Sequence, residues 1–494
     1  MTRPMRALSP PRSILVWLSA AMLSGCAVGP NFKPPTPDVP AAWTGDGAPT
    51  SASVSQTTSA PADASAWWTA FNDAELTSLI RRAASADLDA KAAVLRIAEA
   101  RAQRDIAAGA AWPSLDANAS EQTTRLSEST PTGALFSKVG QFPGLSGVSI
   151  PNPYNQYQLG FDASWELDLF GRVRRSVEAA KADTQAQIED SRSVLITTFG
   201  EVGRAYIDLR AAQAKRQVVL DNLATEQDLL SLAGQRRRAG LSSDVDVVRA
   251  AAEASTAEAQ LPLIDRQINQ DINQLSKLLA LPPGALKAEL EQAEPVPPVP
   301  PTVPIGLPAD LARRRPDIRE AEAKLHGATA RVGVAVADLY PKLTLGAQGG
   351  YQAQTLPLLT NWASRFFNVG PTLELPIFEG GRLRATVRLQ NAQEQAAALD
   401  YRRTVLGALH EVDDALEAYG ADQARQAALA RTVARNRDAV DLARQRYASG
   451  VAAFIDVLDA ERSLQQNQLL LADGTAAVST DLVVLYKALG GGWD

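Results

Sequence analysis

The 494-residue sequence contains one cysteine, Cys26, and two histidines, His326 and His410, far apart in the chain. A single cysteine excludes any disulfide within the chain. His410 is followed by Glu411 but lacks the second histidine four residues on that a helical zinc site requires. There is no phosphate loop, dinucleotide fingerprint or serine elbow, so the sequence offers little to support catalysis, and no enzyme activity and no cofactor beyond a covalent lipid is expected. Beyond the N-terminus no uninterrupted apolar run reaches eighteen residues, so no membrane-spanning helix is expected. A net charge of −6 and a pI near 5.3, with basic runs only as short as Arg236 to Arg238 and Arg313 to Arg315, argue against nucleic acid as a partner.

What the sequence does contain is a duplication. The stretch YASGVAAFIDVLDAER, Tyr447 to Arg462, repeats the plan of RAGLSSDVDVVRAA, Arg238 to Ala251. Setting Gly240 against Gly450, an offset of 210 residues, also aligns Asp246 with Asp456, Val247 with Val457 and Ala250 with Ala460. In each copy the glycine suits the left-handed residue that ends a helix, and a new apolar-periodic run follows, so each stretch is a turn between antiparallel helices. The helices entering these turns lack proline from Arg172 to Ala239 and from Arg382 to Ser449. About 68 helical residues would reach roughly 100 Å, a length suited to a coiled coil. Leu195, Phe199, Val202, Tyr206, Leu209, Leu220, Leu223 and Leu230 follow 4-3 spacing, with Gln213, Arg216 and Gln227 at the missing steps. The same offset reproduces the seam at Val405, Leu409, Val412, Leu416, Tyr419, Gln423, Gln426, Ala430, Val433, Arg437 and Val440. The return helices meet breakers at Pro262 and Gly474, where interruptions are expected.

Residues 1–25 combine Arg3, Arg6 and Arg12 with an apolar run from Ile14 to Leu23, and small residues precede Cys26. This is an export signal, and it resembles a bacterial lipoprotein signal cleaved before a lipid-bearing Cys26. Ala27 follows, where aspartate is absent; by that resemblance the chain is sorted to the outer membrane. Residues 26–66 read as a lipid-anchored tether, 67–281 as the first repeat, 282–308 as a proline-rich extended connector, and 309–491 as the second repeat. The first repeat opens with a helix from Asp73 to Ala110, and the second with a helix from about Ala309 to Leu339. Trp112-Pro113 and Tyr340-Pro341 mark equivalent corners into strands.

The cleanest strand is Tyr157 to Leu169, where Tyr157, Leu159, Phe161, Ala163, Trp165, Leu167 and Leu169 alternate with polar or small residues. Ser114 to Arg125, Lys342 to Tyr351 and Phe367 to Ile377 supply three more, and a long loop spans Ser127 to Pro153. About ten alternating residues suffice for a tilted strand to cross a bilayer with one face to lipid and one to water. Four strands cannot close a membrane barrel, so several chains must share one: two would give eight strands, three would give twelve and room for a channel.

The motifs LSGCAVGPNF at Leu23 to Phe32, WWTAFNDAELTSLI at Trp67 to Ile80, GLPADLARRRPDIREAEA at Gly306 to Ala323, and the second turn together resemble the TolC-like outer-membrane efflux channels, in their NodT-type lipoprotein branch. The resemblance covers nearly all of residues 20 to 491. It implies a mainly α fold with β: a duplicated, long α-helical coiled-coil barrel plus four transmembrane strands per protomer, shared in a twelve-stranded barrel by a homotrimer. It also implies a periplasmic tunnel with an equatorial layer, docked to a periplasmic adaptor and an inner-membrane pump of the resistance-nodulation-division type.

Asp456 and Asp459 lie three apart on one helix face, so threefold symmetry would make rings of carboxylates that favour cations at a narrow end. By resemblance they, with Tyr447 and Gly450, match the closed end of such channels. Asp246 is the weaker candidate, because Ser243 three residues earlier completes a capping-box pattern, whereas no Ser, Thr or Asn immediately precedes Asp456. The family's best-known member has an arginine where this chain has Ala452, so a salt-link lock through that position is not available here. Gly240, Leu241, Ser242, Gly450 and Val451 form two exposed tips that by resemblance meet the adaptor's helical hairpin. Three readings remain to weigh against the efflux channel: an outer-membrane channel for protein secretion, a non-porous lipid-anchored coiled-coil spacer, and a carboxylate-pair hydrolase, for which no pocket-like surround is evident.

Overall fold

The computed structural model describes residues 27–36, 39–44, 55–60, 65–148 and 150–493. In chain order these form strand β1 (Gln56–Thr58), helices α1 (Ala74–Ala86) and α2 (Leu88–Gly109), strand β2 (Ser114–Thr124), helix α3 (Pro131–Lys138) and strand β3 (Tyr154–Leu167). Helices α4 (Arg172–Arg238), α5 (Asp244–Leu278) and α6 (Lys287–Leu290) follow, then strand β4 (Thr302–Pro304) and helices α7 (Leu311–Arg314) and α8 (Pro316–Ala337). Strands β5 (Lys342–Ala353) and β6 (Arg365–Glu374) and helices α9 (Arg382–Ala448) and α10 (Phe454–Ala488) complete the described chain. The duplication holds to the residue: α4 and α9 have 67 residues each, and α5 and α10 have 35 each.

Both opening helices are broken where the sequence suggests continuity. In the first copy the Asp87 carboxylate accepts a hydrogen bond from the Ala90 N–H at 2.8 Å, ending α1 and starting α2. In the second, Pro316 starts α8 and leaves Arg315 extended at ψ 119°, as the residue before a proline prefers. The resulting α2 and α8 are 22 residues each. Conversely, the interruptions expected at Pro262 and Gly474 do not occur, since α5 and α10 run through them. Pro262 and Glu258 one turn earlier are both exposed, so the carbonyl that the proline leaves unbonded faces water. Gly474 is buried, and a Cβ there would meet a Leu429 methyl at 3.4 Å.

The chain divides into two compact units, and each draws on both repeats. One comprises Met1–Lys33, Ala100–Thr184 and Lys324–Ala397. Its centre is an antiparallel sheet of order β2-β3-β5-β6, in which, among the described residues, β2 and β6 each have one neighbour only. The pairings Ala117↔Phe161, Phe161↔Gly349 and Gly349↔Phe367 set one register across all four strands. Because side chains alternate, that register puts Leu115, Leu159, Phe161, Leu345, Phe367, Val369 and Leu373 on one face, and all of them are exposed. The other face carries Asp116, Asn118, Gln158, Asp162, Gln348 and Asn368. Gly160 pairs with Gly350 on this polar face, where a Cβ on Gly350 would collide with the Leu159 carbonyl. The loop after β2 is not wholly irregular: α3 starts at Thr130, whose hydroxyl accepts from the Gly133 N–H.

In the same unit the segment from Ala27 is held against α4 and α8. The Val28 N–H donates to the Phe170 carbonyl at 3.0 Å, Arg175 donates to the Asn31 side chain at 2.6 Å, and Phe32 stacks on His326 at 4.5 Å. His326 also meets Glu178 at 3.0 Å, so it serves this strap.

The other unit comprises Pro34–Glu99, Gln185–Ala323 and Ala398–Asp494. Its core joins Trp67, Trp68, Phe71, Leu76, Leu79 and Ile80 to Phe199, Tyr206, Leu482 and Tyr486, with Trp67 stacked on Tyr486 at 5.8 Å. Each such fully buried side chain contributes about 1.5 to 3 kcal/mol, so the Trp67 to Ile80 motif is a folding element. The described parts of the tether, and the connector, are less free than their composition suggests. β1 pairs in parallel with β4, the Trp43 indole N–H donates to the Gly306 carbonyl at 3.0 Å, and Leu286, Leu290, Val303 and Ile305 are buried. Helix α10 is long and apolar enough over eighteen residues to pass for a membrane span. Its apolar residues Val478, Leu482, Val483 and Leu485 are buried in this core, whereas Leu469, Leu470 and Leu471 are half-buried and Val484 is exposed.

Candidate gate and docking tips

The two tips are built alike. Gly240 at φ 74° and Gly450 at φ 78° adopt the left-handed conformation that ends α4 and α9. The Gly240 N–H donates to the Arg237 carbonyl and the Leu241 N–H to that of Arg236; the Gly450 N–H donates to Tyr447 and that of Val451 to Arg446. These are paired Schellman closures. Leu241 and Val451, the residues next in each turn, are each 68% exposed, so each tip ends in an apolar side chain in solvent. Ser242 is half-buried, its hydroxyl donating to the Ala233 carbonyl at 3.3 Å.

Asp246 and Asp456 sit at equivalent positions in the first turns of α5 and α10. The Asp246 carboxylate accepts from the Ser243 N–H at 3.2 Å, and that of Asp456 accepts from the Ala453 N–H at 3.0 Å. The distinction drawn from the missing Ser or Thr before Asp456 therefore does not hold, because the acidic half of a capping box needs only a backbone N–H. Asp459, exposed, accepts from Arg462 at 3.1 Å. Cys26, the lipid attachment residue, lies outside the described residues, as does the signal segment.

A small core joins the two hairpins near the tips: Leu229, Ala233 and Ala250 pack with Tyr447, Phe454, Val457 and Leu458. Tyr447 lies 5.2 Å from the Phe454 ring and under the Arg236 guanidinium at 4.5 Å, and Arg236 also donates to the Tyr447 carbonyl at 3.2 Å. At the same two repeat positions the first copy has the ion pair Arg237–Asp244 in place of the aromatic pair.

Further from the tips the hairpins are tied by charge, through residues that sequence reasoning passed over. Arg462 bonds Glu253 across the hairpins with Nε at 3.1 Å, and Arg444 bonds Glu461 at 2.7 Å. Arg462 ends the second-turn motif without a role assigned to it. Glu226 was hidden by a register shift: the expected seam runs through Leu223, Gln227 and Leu230, whereas Val219, Glu226, Leu229 and Ala233 are buried and Gln227 is exposed. Among the described residues no group of three or more His, Cys, Asp or Glu side chains is arranged to hold a metal ion.

The family described as "Outer membrane efflux protein" matches residues 79–281 and 307–491. Nodulation protein T of Rhizobium leguminosarum bv. trifolii is 31% identical over 478 residues, 96% of each chain. The toluene efflux pump outer membrane protein TtgI of Pseudomonas putida is 33% identical over 476 residues, again 96% of each. Among solved structures the outer-membrane channel OprN superposes with a TM-score of 0.82 at 33% identity, covering 95% of this chain and 100% of that one. The Neisseria gonorrhoeae MtrE outer membrane channel gives 0.77 at 27% identity, covering 95% and 99%. With matched segments in both repeats and relatives aligned nearly end to end, the chain belongs to the outer membrane efflux protein family, whose fold is the mainly helical, TolC-like channel fold.

Proposed function

We propose that this chain is the outer-membrane exit duct of a tripartite efflux pump, working as a homotrimer in which three four-stranded sheets close one twelve-stranded barrel. The observation that carries this reading is the sheet itself. Its edge strands β2 and β6 each lack a second neighbour, and its exposed face is lined by Leu159, Phe161, Phe367 and Val369. An open edge in hydrocarbon would leave backbone donors and acceptors unbonded at several kcal/mol each, which sharing strands between chains avoids. The polar face then lines water, and the helices continue as a periplasmic tunnel.

In this reading Cys26 carries the lipid, and Asp456 and Asp459, with Asp246 at the equivalent position of the first hairpin, ring the periplasmic end. Gly240, Leu241, Ser242, Gly450 and Val451 meet the adaptor, with Leu241 and Val451 as its apolar contacts. The inner-membrane pump, of the resistance-nodulation-division type, supplies the energy, and the channel performs no chemistry. A spacer without a pore has no use for a sheet with one apolar and one polar face. Native mass measurement of the detergent-solubilised protein should give a trimer, and the trimer should conduct ions in planar bilayers; a folded, non-conducting monomer would overturn the proposal.

A further inference from the structure

Four helices direct charged side chains into one seam between the hairpins. Glu226 comes from α4, Glu253 from α5, Arg444 from α9, and Glu461 and Arg462 from α10. Both guanidiniums are already committed: Arg444 to Glu461 at 2.7 Å, and Arg462 to Glu253 and Asp459, each at 3.1 Å. Four carboxylates, Glu226, Glu253, Asp459 and Glu461, thus meet two arginines, and Glu226 is the one that neither arginine bonds. It is 5% exposed, and its Oε2 has no hydrogen-bond partner. A buried carboxylate so placed is tolerated when neutral and costly when ionised.

We propose that Arg462 and Glu226 form a proton-controlled latch: Arg462 ties the two hairpins of one chain together through Glu253, and Glu226 permits close packing of the seam only while it is protonated. The latch itself stands on the seam geometry; its consequence, that parting the hairpins opens the periplasmic end, rests on the channel reading above. It also gives the tips a tie that does not need an arginine at Ala452.

The direction in pH follows from the burial. Desolvation, with Glu461 and Glu253 adding to it, pushes Glu226 up to about 7 from its ordinary 4.5. In a parted, solvated seam the group returns to that ordinary value. The packed seam therefore binds the proton more tightly than the parted one, so its advantage is complete below 4.5 and is lost as pH rises through about 7. Acid holds the latch shut, and neutral to alkaline pH loosens it.

The test uses the full-length lipidated protein in detergent, with hydrogen exchange of the segments 219–258 and 440–467 measured at pH 5, 6, 7 and 8 and corrected for intrinsic rates. Conductance in planar bilayers is recorded over the same range. Protection of the wild-type seam should fall by at least about tenfold between pH 5 and 8, because a group that holds its proton ten times more tightly in the packed seam changes the packing equilibrium by that factor when it ionises. Glu226→Gln, which keeps the shape and removes the charge, should stay protected throughout, as should Glu226→Met; Arg462→Ala should lose protection at every pH. A flat wild-type profile, or the same pH dependence in both Glu226 variants, overturns the latch. Protection that changes as expected without any conductance supports the latch and removes the channel reading. Conductance with protection unchanged does the reverse.

Discussion

Asp456 holds the first turn of its helix through the Ala453 N–H, and that bond decides which substitution can test the gate. Alanine would remove both the charge, worth about 0.3 to 1 kcal/mol near a helix N-terminus, and the helix-start contact. Asparagine keeps a side-chain oxygen as acceptor and removes only the charge. Asp456→Asn with Asp459→Asn should therefore weaken cation selectivity in planar bilayers while leaving thermal unfolding nearly unchanged. Unaltered reversal potentials would remove both residues from the gate. The aspartates and the turn glycines were legible in the sequence because a 210-residue repeat set one copy beside the other. Glu226 and Glu253 were not, since a buried acid has no local signature and is revealed only by which neighbours its helix turns it toward.

At the scale of the element, the sheet carries the strongest physical constraint. Phe161 and Gln158 belong to the same strand and face opposite ways. A charged residue on a lipid-facing strand position costs about 2 to 4 kcal/mol at mid-bilayer, whereas a lumen-facing charge stays in water. Phe161→Arg should sharply reduce the amount of folded trimer recovered from outer membranes, and Gln158→Arg should not; equal recovery of the two would mean that the faces are assigned wrongly. Strand positions were readable to within a few residues from period-two alternation, and the long helices from the absence of proline. The breaks at Asp87 and Pro316 were readable in principle, because a capping aspartate and a proline are both local signals. Continuity through Pro262 was not, because it depends on that residue facing solvent.

For the whole molecule the central fact is that, among the described residues of one chain, the sheet has two free edges. If three chains share a barrel, β2 of one protomer pairs with β6 of the next. Cysteines introduced along the polar face of β2, at Asn118, Ser120 or Gln122, and of β6, at Asn368 or Thr372, should include pairs that oxidise between chains. At least one such pair should give covalently linked trimers on denaturing gels. Only intrachain disulfides, or none across the whole matrix, would count against a shared barrel. The two compact units do not coincide with the two sequence repeats, because each unit takes segments from both copies.

The sequence alone determined the duplication, the two long helices, the four strands of the sheet and their order, the paired turns, and the expectation that four strands are too few to close a membrane barrel. These follow from periodicity, breakers and backbone hydrogen-bond requirements, all of which act locally or are set by chain length. Only the tertiary structure decided that the proline-rich connector packs with Trp43 and β1, that α10 buries part of its apolar run in the core, and which acid shares a seam with Arg444 and Arg462. Such features depend on which faces of distant segments meet, and a one-residue difference in the buried face is enough to exchange an exposed glutamine for a buried glutamate.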